Sequence, residues 1–463
     1  MKIRHLTYAV LIASLLACNF LTGMLVAQTP TATQTLTPSL QPASTSILLT
    51  PAYVPPNCQA SALATIPAST ALVQPTAELK ANQEISPALQ KKVFQSVVDT
   101  IHRVYVYPDF QGKDWPSIAA KYQSEINAGV DTATFYADMQ ALITALGDQH
   151  SQFESPLDVA TSRAELAGNY SYVGTGIIVL PEDAKNQVAI IEVFPNSPAE
   201  HSGLKPHDSL LAVDGQPIVK NGVDYDYLLR GPECSATVVT VKSPGGDPRQ
   251  VMLVRQRIQG PELIDARLVP TTDGSRIGYI FIPTFFDDTI PKQIADALTK
   301  FGKLDGLILD NRLNTGGSSN VLIPTLSFFT SGTVGQFKSR KGSRPLTITP
   351  NPIWNSQEIP LIVLVSKGTV SYGEVFAGIL QDSGRAKVVG ETSLGHVETL
   401  HIYNLDDGSQ LWIAEETFDP ARSHANWEGK GIVPDVQSIA DWDTFTFETD
   451  PTIAAALVVF GHH

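Results

Sequence analysis

The stretch that decides the fold is PLIVLVSKGTVSYGEVFAG, residues 360–378. Its apolar run at 360–365 predicts a buried strand, and a tight turn leads from there to Ser371 and a helix over Glu374–Leu380. The same alternation occurs upstream, with a strand predicted over Ile277–Ile282, a helix over Ile290–Phe301, and a short strand over Leu307–Leu309 before DNRLNTGG at 310–317. Alternating strands and helices are typical of an α/β core.

Ser371 stands where a strand, turn and helix would present a hydroxyl at the top of a sheet. The helix N-terminus there offers free N–H groups for an oxyanion. Ser371 and Glu374 also have the spacing of a capping box, in which the serine only caps its helix. Taken alone, these residues favour the cap, because capping serines greatly outnumber nucleophiles.

Residues 168–258 have a different texture, with short β runs and an Asp214-Gly215 turn typical of a hairpin. Ser197 is predicted to cap a helix start. This combination resembles a PDZ domain of the kind found in bacterial exported proteases. The resemblance implies that a peptide adds a strand to the sheet edge while a loop holds its terminal carboxylate. The residues of that loop are Gly174, Thr175, Gly176 and Ile177. The alternative is a β-rich unit that only clamps neighbouring domains.

The segment around Ser371 resembles the nucleophile segment of the C-terminal processing (tail-specific) proteases. The resemblance continues through QDSGR (381–385), VVGET (388–392) and GKGIVPDV (429–436), and it covers about residues 86–440. It implies a serine peptidase with a crotonase-like α/β core, in which Ser371 is the nucleophile. The residues that it implies at the oxyanion hole are Gly316, Gly317 and Tyr372, and those expected to support the site are Arg312, Glu374 and Asp382.

The general base is the point at which the sequence departs from that family. The family usually has a lysine 25 residues after the serine, whereas LGHV at 394–397 places His396 there. Histidine titrates near 6.5 without help, so His396 is chemically competent. His150 is a second candidate, because relatives resembling the tricorn core peptidase and nisin-resistance proteins use a histidine from the N-terminal region. The absence of an effective base is the third possibility, since Lys387 and Lys430 do not occupy the motif position.

These patterns predict an extracytoplasmic serine endopeptidase that cleaves proteins or peptides near their C-termini. The rival hypotheses are a non-catalytic peptide- or lipid-binding protein on the same scaffold and a peptidase that degrades a peptide antibiotic. The histidines show no metal-ligand spacing and no glycine loop cradles a phosphate, so neither a metal nor a cofactor is expected. With 46 acidic against 32 basic residues and a net charge of −14, nucleic-acid binding is not expected either.

The N-terminus predicts export. Lys2 and Arg4 precede an apolar run from Leu6 to Ala27, which is typical of a secretory signal or a membrane anchor. LLAC at 15–18 resembles a lipobox with Cys18 as the lipidated residue, while cleavage after Ala27 or no cleavage are the alternatives. A location at the cell surface or outside the cell is therefore expected, with membrane association through the signal or a lipid.

The following Thr/Pro/Ser-rich stretch is predicted to be disordered, because it cannot bury enough apolar surface. An exterior location permits a disulfide between Cys58 and Cys234, but a Cys58 in a disordered segment is expected to be unpaired. The predicted organisation is a multi-domain α/β protein with a signal at 1–27, a disordered linker at 28–84, an N-terminal helical region at 85–165, a PDZ-like domain at 166–260 and an α/β serine peptidase core at 261–463.

Overall fold

A computed structural model of the chain describes residues 51, 53–58, 83–148, 150–160, 170–220, 222–260 and 263–461. The predicted leader, with Cys18 and the cleavage position after Ala27, lies outside these residues, as does most of the predicted linker. Within the described ranges, no helix is both long and apolar enough to cross a bilayer.

The N-terminal region contains the three helices Pro87–Val104, Trp115–Ala128 and Thr132–Thr144. The side chains of Ser86 and Asp131 cap the first and third by accepting N–H groups of the first turn. The strand Gln152–Glu154 follows and pairs antiparallel with Gln410–Pro420. Leu411, on that partner strand, is fully buried among the apolar faces of the helices. The helical region therefore shares a core with a distant part of the chain.

The middle domain is built on an antiparallel sheet. Its strands are Ile177–Glu182, Gln187–Val193, Ser209–Val213, Gln216–Pro217, Ala236–Lys242 and Arg249–Val254, beside two smaller pairs, Tyr170–Gly174 with Gln256–Gly260 and Val219–Lys220 with Val223–Asp224. The strand Ile177–Glu182 lies at one edge of the sheet. The predicted cap at Ser197 is confirmed, because its hydroxyl accepts the N–H of Glu200 at 3.1 Å where the helix Pro198–His201 begins.

The prediction that Cys58 is unpaired is wrong. Cys58 and Cys234 form a disulfide that links positions 176 residues apart in sequence. Cys58 is only 6% exposed, and the ring of Tyr53 stacks on His201 with 3.9 Å between the ring centroids. The segment around Cys58 has few apolar residues with which to form a core of its own. A covalent bond and a ring contact hold it to the middle domain instead.

The C-terminal core is a six-stranded sheet with helices on both faces. Its strands, in spatial order, are Asp265–Val269, Ile277–Phe281, Gly306–Asp310, Leu361–Val365, Lys387–Gly390 and Val436–Gln437, and every pair except the first is parallel. Its helices are Ile290–Phe301, Ser319–Ser327, Tyr372–Asp382 and Pro451–Phe460. Leu307 and Leu309 pack on one face and Ile308 on the other, as strand alternation requires. The predicted multi-domain α/β fold class is confirmed.

A second, antiparallel sheet joins this core to the helical region. Its strands are Gln152–Glu154, Gln410–Pro420, Gly332–Ser339 and Gly342–Ile348, with Thr399–Asn404 paired to the second of them. The strand Thr399–Asn404 begins just after His396, so it ties the segment of that histidine to the same framework.

Two neighbouring parallel strands bring the sequence motifs together. Gly306–Asp310 pairs with Leu361–Val365, and Asp310 lies opposite Leu364. The carboxyl ends of parallel strands meet at one edge of a sheet, which is where such folds place their ligands. The DNRLNTGG loop and the turn that leads to Ser371 therefore emerge side by side.

Candidate active site

Ser371 has a backbone conformation that an ordinary capping serine lacks. Its φ of +55° and ψ of −126° differ from the extended conformation usual at N-caps. Glu374 completes the predicted capping box by accepting the Ser371 N–H at Oε2, 3.2 Å away. A backbone of this kind costs on the order of 1–3 kcal/mol, and such strain clusters at functional sites. The cap interpretation therefore explains the helix start but not the strained serine.

The two glycines of the DNRLNTGG loop lie against this turn. A Cβ on Gly316 would come within 2.7 Å of Ser371 Cβ, and one on Gly317 within 2.1 Å of the Phe285 carbonyl carbon. Both glycines also have positive φ, so larger residues are excluded on two grounds. The N–H of Gly316 is already used, because it donates to Asn314 Oδ1 at 2.9 Å.

Two other backbone N–H groups beside the serine have no acceptor among the described residues. They belong to Gly317 and to Tyr372, the first residue of the Tyr372–Asp382 helix. Unpaired N–H groups at a helix start and in a glycine turn can donate to an oxygen that becomes negatively charged. Of the two glycines expected at an oxyanion hole, Gly317 is thus the one whose donor is available.

Glu374 holds the serine turn and the His396 segment together. Its side chain is fully buried, and burial raises the pKa of its carboxyl group. Oε1 accepts the Ser393 hydroxyl and the Gly395 N–H, both at 2.6 Å, and Oε2 accepts the His396 N–H at 2.8 Å besides that of Ser371. Because the backbone N–H groups of Ser371 and His396 both donate to the Glu374 carboxyl, this side chain holds the two residues next to each other.

Both candidate histidines lie in this cluster. The carbonyl oxygen of His396 accepts the Ser371 N–H at 2.9 Å, and the rings of His396 and His150 are stacked with 5.8 Å between centroids. Neither imidazole hydrogen-bonds to the Ser371 hydroxyl in the described structure. Burial, and next the neighbouring His150, lowers the pKa of His396 below the ordinary histidine value. A neutral His396 imidazole is therefore favoured at neutral pH.

Two carboxyl groups lie behind His150. Glu398 Oε2 is 3.4 Å from His150 Nδ1, and Glu398 Oε1 accepts the Tyr107 hydroxyl at 2.9 Å. Burial alone would raise the pKa of Glu398, but its neighbours His150, Glu428 and Tyr107 outweigh burial and lower that pKa. Burial, and next the hydrogen bond and charge of Glu398, raise the pKa of Glu428 well above its usual range. The opposite directions of these two pKa shifts favour an ionised Glu398 beside a protonated Glu428.

Sequence reasoning does not single out Tyr107, Glu398, Glu428 or Asn314. Glu398 follows His396 by two residues, which was the one signal available for it. Glu428 joins the cluster through Val397, whose N–H it accepts at 2.8 Å, and no sequence spacing announces that contact.

The comparisons with known proteins agree with this geometry. The family description "Peptidase family S41" matches residues 276–438, and "PDZ domain" matches residues 190–243. The chain is 28% identical over 366 residues to the carboxyl-terminal-processing protease of Synechocystis sp., covering 77% of this chain and 83% of that protein. It is 26% identical to carboxyl-terminal-processing peptidase 2, chloroplastic, of Arabidopsis thaliana, covering 73% and 66%.

Among solved structures, the photosystem II D1 C-terminal processing protease superposes with a TM-score of 0.54 at 25% identity, covering 76% of this chain and 93% of that one. Residues 276–438 therefore carry the features of peptidase family S41. The chain is a serine-type peptidase with a PDZ domain and a protease core similar to that of the C-terminal processing proteases.

The two remaining residues that were expected to support the site, Arg312 and Asp382, make different contacts. Arg312 belongs to the DNRLNTGG segment itself, and its buried side chain pairs with Asp310 and, at 2.6 Å, with Asp450. Asp382 ends the Tyr372–Asp382 helix, roughly 16 Å along the helix axis from Ser371 at about 1.5 Å per residue. Its carboxylate accepts the N–H groups of residues 422 and 423. The described contacts of Asp382 thus lie at the far end of the helix, and its role as a supporting residue stays a prediction, whereas Arg312 ties the glycine loop to Asp450.

The loop at residues 174–177, which was predicted to bind a peptide carboxylate, is held in place through its carbonyl oxygens. Thr175 O accepts the Ala199 N–H and Gly176 O accepts the Phe194 N–H, both at 3.0 Å. The loop leads directly into the edge strand Ile177–Glu182. An edge strand beside a fixed loop is the arrangement that peptide binding by strand addition requires.

Proposed function

We propose that this S41 peptidase is an exported endopeptidase that cleaves proteins or peptides near their C-termini, with Ser371 as the nucleophile. The observation that carries the proposal is the strained Ser371 beside the N–H groups of Gly317 and Tyr372, which have no acceptor among the described residues. The relatives named as carboxyl-terminal-processing proteases support the substrate class.

In the proposed reaction, Ser371 Oγ attacks the scissile carbonyl carbon while an imidazole takes the hydroxyl proton. The carbonyl oxygen becomes negatively charged and accepts hydrogen bonds from Gly317 and Tyr372. The C–N bond then breaks, and the imidazolium gives its proton to the leaving amine of the C-terminal fragment. Water, deprotonated by the same imidazole, hydrolyses the acyl-enzyme and releases the new C-terminus.

His396 is the proposed general base. Its carbonyl contact with Ser371 keeps the residue beside the nucleophile, and its lowered pKa leaves the imidazole able to accept a proton at pH 7. His150 is the second candidate, because its Nδ1 lies 3.4 Å from Glu398 Oε2, and a carboxylate beside Nδ1 is also found in serine triads, where the two are hydrogen-bonded.

The PDZ domain is proposed to capture the substrate's C-terminal carboxylate. Gly174, Thr175, Gly176 and Ile177 form the loop that would hold it, and the strand Ile177–Glu182 provides the edge to which the peptide would add. The two hydrogen bonds from Ala199 and Phe194 keep the loop in place without a ligand.

Export is proposed on two independent grounds. The positively charged start and apolar run of residues 2–27 are typical of a signal, whether lipidated at Cys18, cleaved after Ala27 or retained as an anchor. The Cys58–Cys234 disulfide is also typical of oxidising compartments outside the cytoplasm. Mature protein recovered with an intact Met1 in a soluble cytoplasmic fraction would contradict this location.

A fluorophosphonate probe followed by peptide mapping tests the nucleophile. Label is expected on Ser371 of the wild type, and Ser371→Ala should neither be labelled nor cleave peptides while keeping its melting temperature within a few degrees. Ser383→Ala, at the other end of the same helix, is the matched control and should retain activity. If Ser371 were only a cap, Ser371→Ala would lose about 1 kcal/mol of stability and keep full turnover.

A further inference from the structure

Asn314 connects the turn before Ser371 to the glycine loop. Its backbone carbonyl oxygen accepts the N–H of Val370, the residue directly before the serine, at 2.9 Å. Its side-chain Oδ1 accepts the N–H of Gly316, also at 2.9 Å. One residue thus binds the nucleophile segment with its main chain and the glycine loop with its side chain.

Core packing alone does not explain why an asparagine side chain is buried at position 314. The residue is completely buried, and its Nδ2 has no hydrogen-bond acceptor in the described structure. An unsatisfied buried donor costs on the order of 1–3 kcal/mol. An amide at this position is therefore unfavourable for the fold alone, and the 2.9 Å contact with Gly316 is its one side-chain hydrogen bond there.

The Gly316 contact sets the direction of the next peptide unit. With its own N–H turned to Asn314 Oδ1, Gly316 presents its carbonyl oxygen to the Phe285 N–H at 2.8 Å. Two contacts on either side of one glycine fix its dihedral angles, and these determine where the N–H of Gly317 points. That N–H is left without an acceptor among the described residues.

We propose that Asn314 is a positioning residue of the oxyanion hole, which aims the Gly317 N–H at the carbonyl oxygen of the substrate. The proposal rests on Ser371 being the nucleophile. Without Asn314 Oδ1 the Gly316–Gly317 peptide rotates. The Gly317 N–H then no longer donates to the substrate oxygen in the transition state, although the substrate still binds. Loss of one oxyanion donor lowers kcat about 10²- to 10³-fold, so a misaimed donor should approach that loss.

The test compares Asn314→Ala with Asn314→Ser in the full-length protein. A serine oxygen can accept the N–H two residues later, although more weakly than an asparagine. Asn314→Ala should lower kcat by about 10²-fold with KM within about twofold, and Asn314→Ser should recover about tenfold of that loss. Ser356→Ala, which removes a buried hydroxyl bonded to Phe328 O at 2.6 Å elsewhere in the core, controls for stability and should leave kcat unchanged.

A second readout separates positioning from structural damage. The rate of fluorophosphonate labelling at Ser371 needs the oxyanion donors, as does inhibition by a peptide aldehyde, because both place an oxygen there. The labelling rate and the aldehyde inhibition should weaken in parallel with kcat in both Asn314 variants. If Asn314→Ala does not fold, Asn314→Ser alone provides the comparison. Unchanged labelling rates and aldehyde inhibition in folded Asn314 variants would overturn the proposal. Absence of Ser371 labelling in the wild type would instead overturn the proposed function.

Discussion

The backbone N–H of Ser371 donates to the carbonyl oxygen of His396 at 2.9 Å. This contact joins two motif segments that are separated along the chain by a helix and a strand. Because it uses main-chain atoms, replacing either side chain leaves it in place. Substitutions at His396 should therefore test proton transfer without displacing the serine.

His396→Ala is expected to lower kcat by about 10²-fold or more, because the serine loses its proton acceptor. His150→Ala should keep more activity than His396→Ala if His150 acts only by lowering the pKa of His396. Steady-state kinetics on both variants, with melting temperatures to correct for unfolded protein, provide the measurement. A nearly silent His396→Ala beside a folded but inactive His150→Ala would assign the base to His150.

The pH profile should have an acid limb below about pH 6.5, the ordinary histidine value. His396 must be neutral to accept a proton, and burial and His150 lower its pKa, so activity is lost only as the pH falls through that lowered value. The opposing carboxylates of Glu398 and Asp148 limit the shift. The measurement is kcat/KM as a function of pH. Removing His150 should move the limb upward, and a limb that moves downward in His150→Ala would contradict this assignment.

The sequence was sufficient for the scaffold around the serine. The run 360–365 is apolar at every position, as a strand buried on both faces must be, and the helix that follows ends near its predicted residue. Contacts between distant segments could not be predicted in this way. Glu428 meets Val397, and Cys58 meets Cys234, only because the tertiary fold brings them together.

The sequence could not decide between the two histidines for the same reason. Sequence spacing identified His396 and a motif identified His150, but whether their rings face one another depends on how the helical region packs against the core. The hydrogen bond from the Gly316 N–H to Asn314 Oδ1 could not be predicted either, because a Gly-Gly pair in a sequence does not show which of its two N–H groups is free.

The two buried glutamates should respond differently to the same substitution. Glu428 is protonated at neutral pH because its pKa is raised, so Glu428→Gln resembles the native group and keeps an oxygen for the Val397 N–H. Activity within about threefold of the wild type is expected. The pKa of Glu398 is lowered and its charge raises the pKa of His396, so Glu398→Gln removes a negative charge that stabilises the His396 imidazolium and should lower kcat at least roughly tenfold. Each variant serves as the control for the other, and equal losses in kcat would mean that the pair has no fixed proton.

The PDZ loop should make cleavage depend on the substrate's terminal carboxylate. A peptide with a free C-terminus offers a charged acceptor to the N–H groups of residues 174–177, and amidation removes that charge. Amidation should therefore raise KM by about tenfold or more and leave kcat nearly unchanged, since the loop binds the substrate at a distance from Ser371. Acetylating the N-terminus of the same peptide alters its charge by one unit at the other end, and KM should then stay the same. Equal KM values for the acid and the amide would mean that the loop holds no carboxylate. The Ala199 and Phe194 contacts would then only hold the loop within its own domain.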